Sequence, residues 1–272
     1  MSKQPFADHQ VVVTGGGTGI GRATAIAFAE QGAGVIIVGR RPEPLEKTAA
    51  LHPALVPVVA DIRTERGVET VAEAVADGPG RLDVLVNNAG IFRRTGLDGL
   101  DMAAVREVFE VNVFGPAQLT AKLLPWFDRP GGSVVLVSSV MGHLPGPGQF
   151  AYAASKAAVD SLTRSWAKEL AGRRIRVNAI APGTVETEAL TAAALGVTEE
   201  QLAAVRAQKT RAFPLGRYGQ VDDVTPWILR LAERANSWMT GQVITVDGGW
   251  DLGAPEGAAL AATAATATGG ER

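Results

Sequence analysis

The sequence predicts an α/β fold, a doubly wound parallel sheet with helices on both faces. Two observations predict this fold class. Short apolar runs rich in Val and Ile alternate with helical stretches along most of the chain, as in successive βαβ units. The first run, Val11-Val12-Val13, leads directly into a cluster of glycines and then into an alanine-rich helical stretch. This order of strand, turn and helix is typical of the first unit of a dinucleotide-binding sheet.

The remaining elements follow from the same periodicity. We predict strands near residues 10–14, 34–38, 55–59, 82–86, 132–138, 175–180 and 242–246. We predict helices near residues 19–31, 43–50, 64–76, 101–127, 150–171, 198–209 and 221–234. The Gly115-Pro116 pair and Pro125 should interrupt the 101–127 helix, because proline removes a backbone donor and clashes with the preceding turn. Strands that alternate with helices imply right-handed crossovers and therefore a Rossmann-type sheet.

Length and composition fit one globular domain. The chain has 272 residues, of which 46% are hydrophobic, enough for a substantial core. We assign residues 1–252 to this domain, whereas residues 253–272 form an Ala/Thr/Gly-rich tail that can bury little apolar surface. The tail should be mobile or should order only against another subunit.

Charge and cysteine content exclude several classes of function. The formal net charge of −2 gives no electrostatic basis for a nucleic-acid partner. The chain has no cysteine, so disulfides, thiolate catalysis and cysteine zinc sites are excluded. Its three histidines are far apart and begin no metal-ligand pattern, so we predict no metal. Because no export signal or apolar membrane span is visible, we expect a cytoplasmic protein with no membrane partner.

The glycine cluster predicts a phosphate-binding turn. It runs Thr14-Gly15-Gly16-Gly17-Thr18-Gly19-Ile20-Gly21. Glycine permits positive φ and close approach of the backbone, and free N–H groups at a helix start favour a pyrophosphate. Glycines also serve ordinary turns, so the flanking strand and helix give the motif its weight.

A tyrosine and a lysine four residues apart predict the chemistry. Tyr152 and Lys156 would share one face of the 150–171 helix, and Ser139 precedes Tyr152 by thirteen residues at the end of a predicted buried strand. A cation at that spacing favours the phenolate. Bringing the pKa of a tyrosine from about 10 to neutrality takes about 4 kcal/mol, and a positively charged nicotinamide ring could contribute. Taken alone, Tyr-x-x-x-Lys also occurs by chance on amphipathic helices.

Taken together, the motifs resemble those of the short-chain dehydrogenase/reductase family, in its shorter single-domain branch. The resemblance extends from residue 8 to about residue 250. It depends on five motifs: the glycine turn; Asn87-Asn88-Ala89-Gly90; Asn112 in Val111-Asn112-Val113; Ser139 with Tyr152 and Lys156; and Pro182-Gly183 followed by Thr187. The family resemblance implies an enzyme that transfers a hydride between a nicotinamide cofactor and a ketone or secondary alcohol.

The resemblance also implies catalytic roles. Tyr152 would be the general acid in reduction and the base in oxidation, and Lys156 would lower the Tyr152 pKa and bind the nicotinamide ribose. Ser139 would polarise the substrate carbonyl. Asn112 would hold a water that links Lys156 to solvent. Asn112 has an alternative interpretation, as a helix-interior asparagine hydrogen-bonded to backbone.

The cofactor contacts implied by the resemblance come from four segments. Asp61, followed by Ile62, would bind the adenine edge, and Asn88 to Gly90 would pack beside the adenosine ribose. Pro182 to Thr187 would close over the nicotinamide. The full predicted set is Gly15, Gly17, Thr18, Gly19, Ile20, Gly21, Arg40, Asp61, Ile62, Asn88, Ala89, Gly90, Tyr152, Lys156, Pro182, Gly183, Val185 and Thr187.

The end of the second strand favours NADP(H) over NAD(H). An NAD-preferring fold usually presents a carboxylate there to the ribose 2′-OH. This chain has Gly39-Arg40-Arg41 instead, and an arginine suits a 2′-phosphate. NAD(H) stays open, because the two arginines would also suit an exposed loop and Thr18 supplies no second basic residue in the glycine turn.

Substrate identity is less constrained. We predict a mobile lid over residues 184–214 and a pocket lined by His143, Leu144, Gln149, Phe150 and Leu190, which favours a small or medium carbonyl compound with some apolar surface. Arg93-Arg94 resembles a stretch of sugar-acid dehydrogenases, where two cations would recognise a carboxylate, or it is a solvated loop. The C-terminal part resembles 3-oxoacyl-ACP reductases, in which residues near Arg129 and Arg173 would meet an acidic carrier. An NAD-dependent sugar-acid or polyol dehydrogenase is therefore an alternative.

Two further hypotheses concern assembly and a function without catalysis. The apolar surface of the 150–171 helix, with Leu162, Trp166 and Leu170, exceeds one stripe, and relatives pair this helix between subunits, so we predict a homotetramer. A non-catalytic dinucleotide-binding regulator would retain the glycine turn. It would have no need of Ser139, Tyr152 and Lys156 together.

Overall fold

The parallel sheet predicted from the sequence is present in the computed structural model, which describes residues 4–127, 130–191, 197–210 and 213–253. Seven strands pair in parallel in the order β3-β2-β1-β4-β5-β6-β7. Their bounds are β1 Gln10–Thr14, β2 Gly34–Gly39, β3 Leu55–Val59, β4 Val84–Asn87, β5 Ser133–Val137, β6 Arg176–Pro182 and β7 Val243–Val246. The predicted strands are confirmed to within two residues at each end.

The helices alternate with the strands. Their bounds are α1 Gly19–Glu30, α2 Pro42–Ala49, α3 Glu65–Asp77, α4 Met102–Phe109, α5 Gly115–Leu123, α6 Phe150–Leu170, α7 Glu199–Thr210 and α8 Val221–Ala232. The predicted 101–127 helix is divided. A π-helical turn, Glu110–Phe114, separates α4 from α5, and a 3₁₀ turn, Leu124–Trp126, follows. Pro116 lies in the first turn of α5 and Pro125 lies in the 3₁₀ turn, so the predicted interruptions occur where proline stands.

Helices cover both faces of the sheet. Successive residues of a strand point to opposite faces, and β1 shows this clearly. Val12 packs in a buried cluster with Leu119 of α5 and Val159 of α6, whereas Val11 and Val13 pack in a second cluster with residues of α1 and α8. The two apolar layers fix the register of β1 between them.

The strand order reverses beside β1. The chain runs outward from β1 through β2 to β3, and then returns to β4 on the other side of β1. In open α/β sheets a ligand binds in the crevice outside the carboxyl ends of the strands at such a point. The glycine turn after β1 and the segment after β4 therefore lie side by side at this crevice.

Some predictions fall outside the described residues. These include all of the predicted tail except Gly253, part of the predicted 184–214 lid, and Arg129. In the part of the chain that the structure describes, no helix is long and apolar enough to span a bilayer, and no three acidic or histidine side chains form a group suited to a metal ion.

Candidate active site

The glycine turn has the backbone geometry that its sequence predicts. Gly15 has φ +67° and Gly19 has φ +52°, a region that disfavours other residues. A Cβ on Gly21 would come within 2.2 Å of the Gly15 oxygen and 2.4 Å of Asn88 Nδ2, so only glycine fits there. Gly19, Ile20 and Gly21 form the start of α1, whose first N–H groups have no partner within the helix.

Thr14 and Asn88 tie the segment after β4 to the glycine turn. The Thr14 hydroxyl accepts hydrogen bonds from the Asn88 and Ala89 amides, both at 3.0 Å, and Asn88 Nδ2 donates to the Thr14 oxygen at 2.8 Å. Asn87 Nδ2 donates instead to Thr120 Oγ1 at 3.0 Å. The two predicted cofactor segments are thus one rigid unit.

A cleft at this edge of the sheet brings most of the predicted dinucleotide contacts together. Its lining includes Gly15, Gly17, Thr18, Arg40, Asp61, Ile62, Ala89 and Gly90. Arg40 is exposed at the cleft, and no acidic side chain among the described residues forms a salt bridge with it. A backbone cradle with a cation at its lining suits the phosphates of a dinucleotide.

Asp61 is paired with an arginine that the sequence analysis missed. Arg63 Nη2 lies 2.6 Å from Asp61 Oδ2, and Arg63 Nε lies 3.0 Å from each carboxylate oxygen. This hydrogen bonding holds the pKa of Asp61 below its usual range. The carboxylate is therefore ionised and fixed in orientation at the lining of the cleft.

The segment after β6 lies against the glycine turn as predicted. Pro182 ends β6, Gly183 N donates to the Val246 oxygen at 3.0 Å, and Val185 forms a bridge with Gly219. A Cβ on Gly19 would lie 3.0 Å from Thr187 Cγ2, so the Thr187 side chain covers the start of α1.

An unpredicted carboxylate fixes this segment. Glu188 Oε2 accepts a hydrogen bond from Gly19 N at 3.0 Å, and Glu188 Oε1 lies 2.7 Å from Arg22 Nη1. Arg22 also donates to the Gly17 oxygen through Nε and Nη2, at 3.1 and 2.6 Å. Arg22 therefore joins the glycine turn to the segment that carries Thr187.

The structure brings the predicted catalytic side chains together. Ser139 is the second residue after β5, and Tyr152 and Lys156 lie one turn apart on α6. Lys156 Nζ lies 5.6 Å from the centre of the Tyr152 ring and donates to the Val137 oxygen at 2.8 Å. Tyr152 is hydrogen-bonded to Ser139. The phenol, the hydroxyl and the ammonium thus converge at the carboxyl edge of β5.

Burial controls the protonation of this group. Burial raises the pKa of Tyr152, and its hydrogen bond to Ser139 opposes that rise less strongly. The net effect places the Tyr152 pKa above its ordinary value in the protein alone, and the lowering that we expect from Lys156 stays a prediction. Burial also lowers the pKa of Lys156 to about 8, while the charge of Asp160 acts in the opposite direction.

Asn112 is a buried clamp within the π-helical turn. It is 1% exposed, its Oδ1 accepts from Ile91 N at 2.8 Å, and its Nδ2 donates to the Ile91 oxygen and to Ser155 Oγ at 3.0 Å each. The bonds to backbone favour the structural alternative, although the backbone belongs to the segment after β4. The proton-relay role stays a prediction.

One apolar side chain contacts Tyr152, and the predicted substrate residues differ in exposure. The Phe92 ring, which the sequence analysis did not assign, packs edge-on against Tyr152 at 5.4 Å. Leu144 and Phe150 are partly exposed, Gln149 bridges to Thr95, and Leu190 is half-buried. His143 Nε2 lies 3.6 Å from Asp251 Oδ2, so the C-terminal turn Trp250–Leu252 reaches the predicted substrate side.

The arginine pair at the cleft mouth divides into two roles. Arg93 is paired with Glu107, with Nε 3.0 Å from Oε2, and is thereby withdrawn from substrate recognition. Arg94 is exposed, its Nη2 lies 3.7 Å from the position of a Cβ on Gly148, and it forms no salt bridge among the described side chains.

Arg173 donates to the Leu124 oxygen at 2.6 Å and caps a turn.

Most contacts that the sequence analysis missed join residues that are far apart along the chain. Arg22 contacts Glu188 across 166 residues, and Phe92 contacts Tyr152 from a different element. Only Arg63 had a local signal, because a guanidinium two residues after a strand-end carboxylate can fold back onto it.

Comparison with known proteins shows the family. A family model described as enoyl-(acyl carrier protein) reductase matches residues 15–251. The chain is 42% identical over 243 residues to 3-oxoacyl-[acyl-carrier-protein] reductase FabG of Thermotoga maritima, covering 88% of this chain and 96% of that one. It is 38% identical over 254 residues to cis-4-hydroxycyclohexanecarboxylate dehydrogenase of Sinomonas cyclohexanicum, covering 91% and 98%.

A solved structure gives the same result. A short-chain dehydrogenase/reductase of Caenorhabditis elegans, of unknown function and solved with cofactor, superposes with a TM-score of 0.84 at 35% identity, covering 91% of this chain and 97% of that one. The chain is thus an oxidoreductase that acts on CH–OH or C=O groups. It belongs to the short-chain dehydrogenase/reductase family, as the motifs predicted.

Proposed function

We propose that this protein is an NADP(H)-dependent oxidoreductase that interconverts a ketone and a secondary alcohol. The observation that carries the proposal is the convergence of Ser139, Tyr152 and Lys156 at the same sheet edge as the glycine turn. A proton donor, a polarising hydroxyl and a buried cation then lie beside the proposed dinucleotide cleft. Carbonyl reduction needs a proton donor and a group that stabilises the developing alkoxide.

The residues divide the reaction between them. The bound nicotinamide supplies the hydride in reduction and accepts it in oxidation. Ser139 donates a hydrogen bond to the substrate oxygen and stabilises the developing alkoxide, while Tyr152 donates the proton in reduction and removes it in oxidation. Lys156 supplies positive charge that opposes the rise in the Tyr152 pKa caused by burial, and a positively charged nicotinamide would act in the same direction.

The residues of the cleft support the choice of NADP(H). Arg40 would bind the 2′-phosphate, with the ribose held near Ala89 and Gly90 and the adenine near Asp61 and Ile62. The glycine turn, with Thr187 above it, would hold the pyrophosphate. Gly183 and Val185 would contact the nicotinamide.

Replacement of one oxygen tests the catalytic assignment. Tyr152→Phe should remove at least about 99% of turnover, in line with loss of a general acid, and should leave dinucleotide affinity and folding near those of the wild type. The assay follows NADPH consumption with a panel of ketones, 3-oxoacyl thioesters, quinones and keto-sugar acids. If the variant keeps more than about a tenth of the rate, Tyr152 is not the proton donor.

A charge reversal tests the cofactor. Arg40→Asp should weaken NADPH binding by about 1–3 kcal/mol, the range for a hydrogen bond to a charged group, and should shift preference toward NADH. Arg41→Asp is the matched control, since Arg41 lies beside Arg40 at the same cleft. Tighter binding of NADH than of NADPH by the wild type would contradict the assignment.

Arg94 favours a second candidate substrate class within the same chemistry. Its guanidinium lies near Gly148, just before the helix that carries Tyr152, and has no acidic partner among the described residues. The Sinomonas relative is named for a hydroxy acid. A hydroxy- or keto-acid would place its carboxylate on Arg94, and Arg94→Gln should then raise KM for acids while leaving KM for neutral ketones unchanged.

A homotetramer is the proposed assembly. β7 is an edge strand whose four residues are only half-buried, and Trp227, Trp238 and Met239 nearby are exposed. Trp166 of α6, the helix that the sequence predicts to pair between subunits, packs partly against its own core. Sedimentation at micromolar concentration tests the assembly, and a monomer would contradict it.

A further inference from the structure

A buried carboxylate lies one turn beyond Lys156 and has no part in the chemistry described above. Asp160 is 7% exposed and Lys156 is 5% exposed, and both face β5 from α6. No lysine, arginine or histidine among the described residues forms a salt bridge with Asp160. A carboxylate is seldom buried without a cationic partner, because loss of hydration penalises the charge.

The two charged residues hold consecutive residues at the end of β5. Lys156 Nζ donates to the Val137 oxygen at 2.8 Å, and Ser138 Oγ donates to Asp160 Oδ1 at 2.5 Å. Ser138 Oγ also lies 3.3 Å from the Lys156 oxygen. The next residue is Ser139, so the pair on α6 fixes the backbone that presents the catalytic hydroxyl.

The surroundings of Asp160 make its charge significant for Lys156. Burial raises the pKa of Asp160, while the hydrogen bond from Ser138 and the charges of Arg164, His143 and Lys156 oppose that rise. His143 Nε2 in turn lies 3.6 Å from Asp251 Oδ2 of the C-terminal turn. A Cβ on Gly142 would lie 3.1 Å from Asp160 Oδ2, so the backbone after β5 shields the carboxylate closely. At this depth the field of a carboxylate one helical turn away is weakly screened.

We propose that Asp160 is a positioning residue of the active site, which fixes Ser138 beneath Ser139 and whose negative charge keeps Lys156 protonated. Burial lowers the pKa of Lys156 to about 8, and the charge of Asp160 opposes that lowering. The inference rests on the proposed function only for the statement that turnover needs protonated Lys156.

Two variants separate the charge of Asp160 from its hydrogen bond. Asp160→Asn removes the charge and keeps an oxygen that accepts from Ser138, whereas Ser138→Ala removes the hydrogen bond and keeps the charge. A protonated lysine is lost as pH rises through its pKa. Asp160→Asn should therefore move the alkaline limb of the kcat/KM profile to lower pH by about one unit, the low end of the pKa shifts that a nearby opposite charge causes. Ser138→Ala should leave that limb in place.

A direct titration makes the test independent of turnover. Side-chain NMR of isotope-labelled lysine in the protein without substrate or dinucleotide should show the same shift for Lys156 in Asp160→Asn and none in Ser138→Ala. If Asp160→Asn fails to fold, the double variant Ser138→Ala/Asp160→Ala removes donor and acceptor together and should show the shift.

The outcomes are distinct. An unchanged Lys156 titration in the charge-free variants overturns the proposal, as does an equal shift in Ser138→Ala. A wild type inactive on every carbonyl of the panel would count against the proposed function alone, because the NMR titration would still show whether Asp160 controls Lys156.

Discussion

Loss of the Asn112 amide should destabilise the protein and misplace the active site at once. In Asn112→Ala, the Ile91 N–H and C=O lose partners that now lie at 2.8 and 3.0 Å. Ser155 Oγ loses the hydrogen bond that it accepts from Asn112 but keeps the one that it donates to the backbone carbonyl of Tyr152, at 2.7 Å. Each buried group left unpaired costs about 1–3 kcal/mol. Because the surroundings relax partly, we expect the free energy of unfolding to fall by about 2–4 kcal/mol.

The position of the Ile91 backbone explains why activity should fall as well. A Cβ on the preceding residue, Gly90, would lie 3.3 Å from Asn112 Oδ1 and 3.5 Å from Lys156 Nζ. Movement of this backbone therefore displaces the surroundings of Lys156. Because a shift of about 1 Å can cost about a hundredfold in rate, we expect a ten- to hundredfold lower kcat.

A second buried asparagine provides the matched control. Asn178 is 0% exposed, donates to the Met239 oxygen at 3.0 Å and accepts from Gln242 N at 3.1 Å, at the connection between β6 and β7. Urea unfolding should show similar losses for Asn178→Ala and Asn112→Ala, with kcat nearly unchanged in the former. An Asn112→Ala variant that is as stable as the wild type yet inactive would refute the clamp and favour the proton relay.

Two other variants test contacts that organise the sheet and the cofactor cleft. Arg176→Met should lower the free energy of unfolding by about 2–4 kcal/mol in urea titration, because the buried guanidinium donates to three carbonyls at the C-terminal end of α8, those of Leu231, Ala232 and Glu233. The exposed control Arg230→Met, which breaks a surface pair with Glu233, should cost less than about 0.5 kcal/mol, and equal losses would contradict the capping role. Glu188→Gln should leave stability within about 0.5 kcal/mol, since its pair with Arg22 is half-exposed, but should raise KM for the dinucleotide with little change in kcat. Glu186→Gln, on the same segment but bonded to Gln220, is its control, and a lower KM in Glu188→Gln would show that the carboxylate competes with the phosphates.

The sequence predicted the sheet well because each strand contains a short apolar run. Strand ends were less certain, since Gly132 and Ser138 lie just outside β5 and still hydrogen-bond to β6. The 101–127 segment shows a different limit. Proline predicted an interruption, but not that Gly115 N would bond to the Glu110 oxygen and form a π-helical turn around Asn112. Because Pro116 lacks an N–H, the Asn112 carbonyl cannot make its usual bond to the residue four places later.

Sequence separation accounts for what was predictable at the site. Ser139, Tyr152 and Lys156 are joined by one strand-to-helix connection, so their spacing alone implied that they meet. The protonation of Tyr152 did not follow in the same way. It depends on desolvation by side chains from several elements, Phe92 among them, and a spacing rule contains no information on burial.

The difference between local spacing and long-range contacts also bears on substrate specificity. The relatives of this chain are named for different substrates, so membership of the family leaves the substrate open. Specificity must come from long-range neighbours of the predicted catalytic residues, which include Phe92, Arg94 and the Asp251 turn. Phe92 contacts Tyr152 on the catalytic helix, Arg94 lies near Gly148 just before that helix, and Asp251 lies beside His143 after β5. Among the described residues, none of these three side chains forms a hydrogen bond or an ion pair with the glycine turn. Substitutions there should therefore change KM among carbonyl substrates while cofactor affinity stays constant.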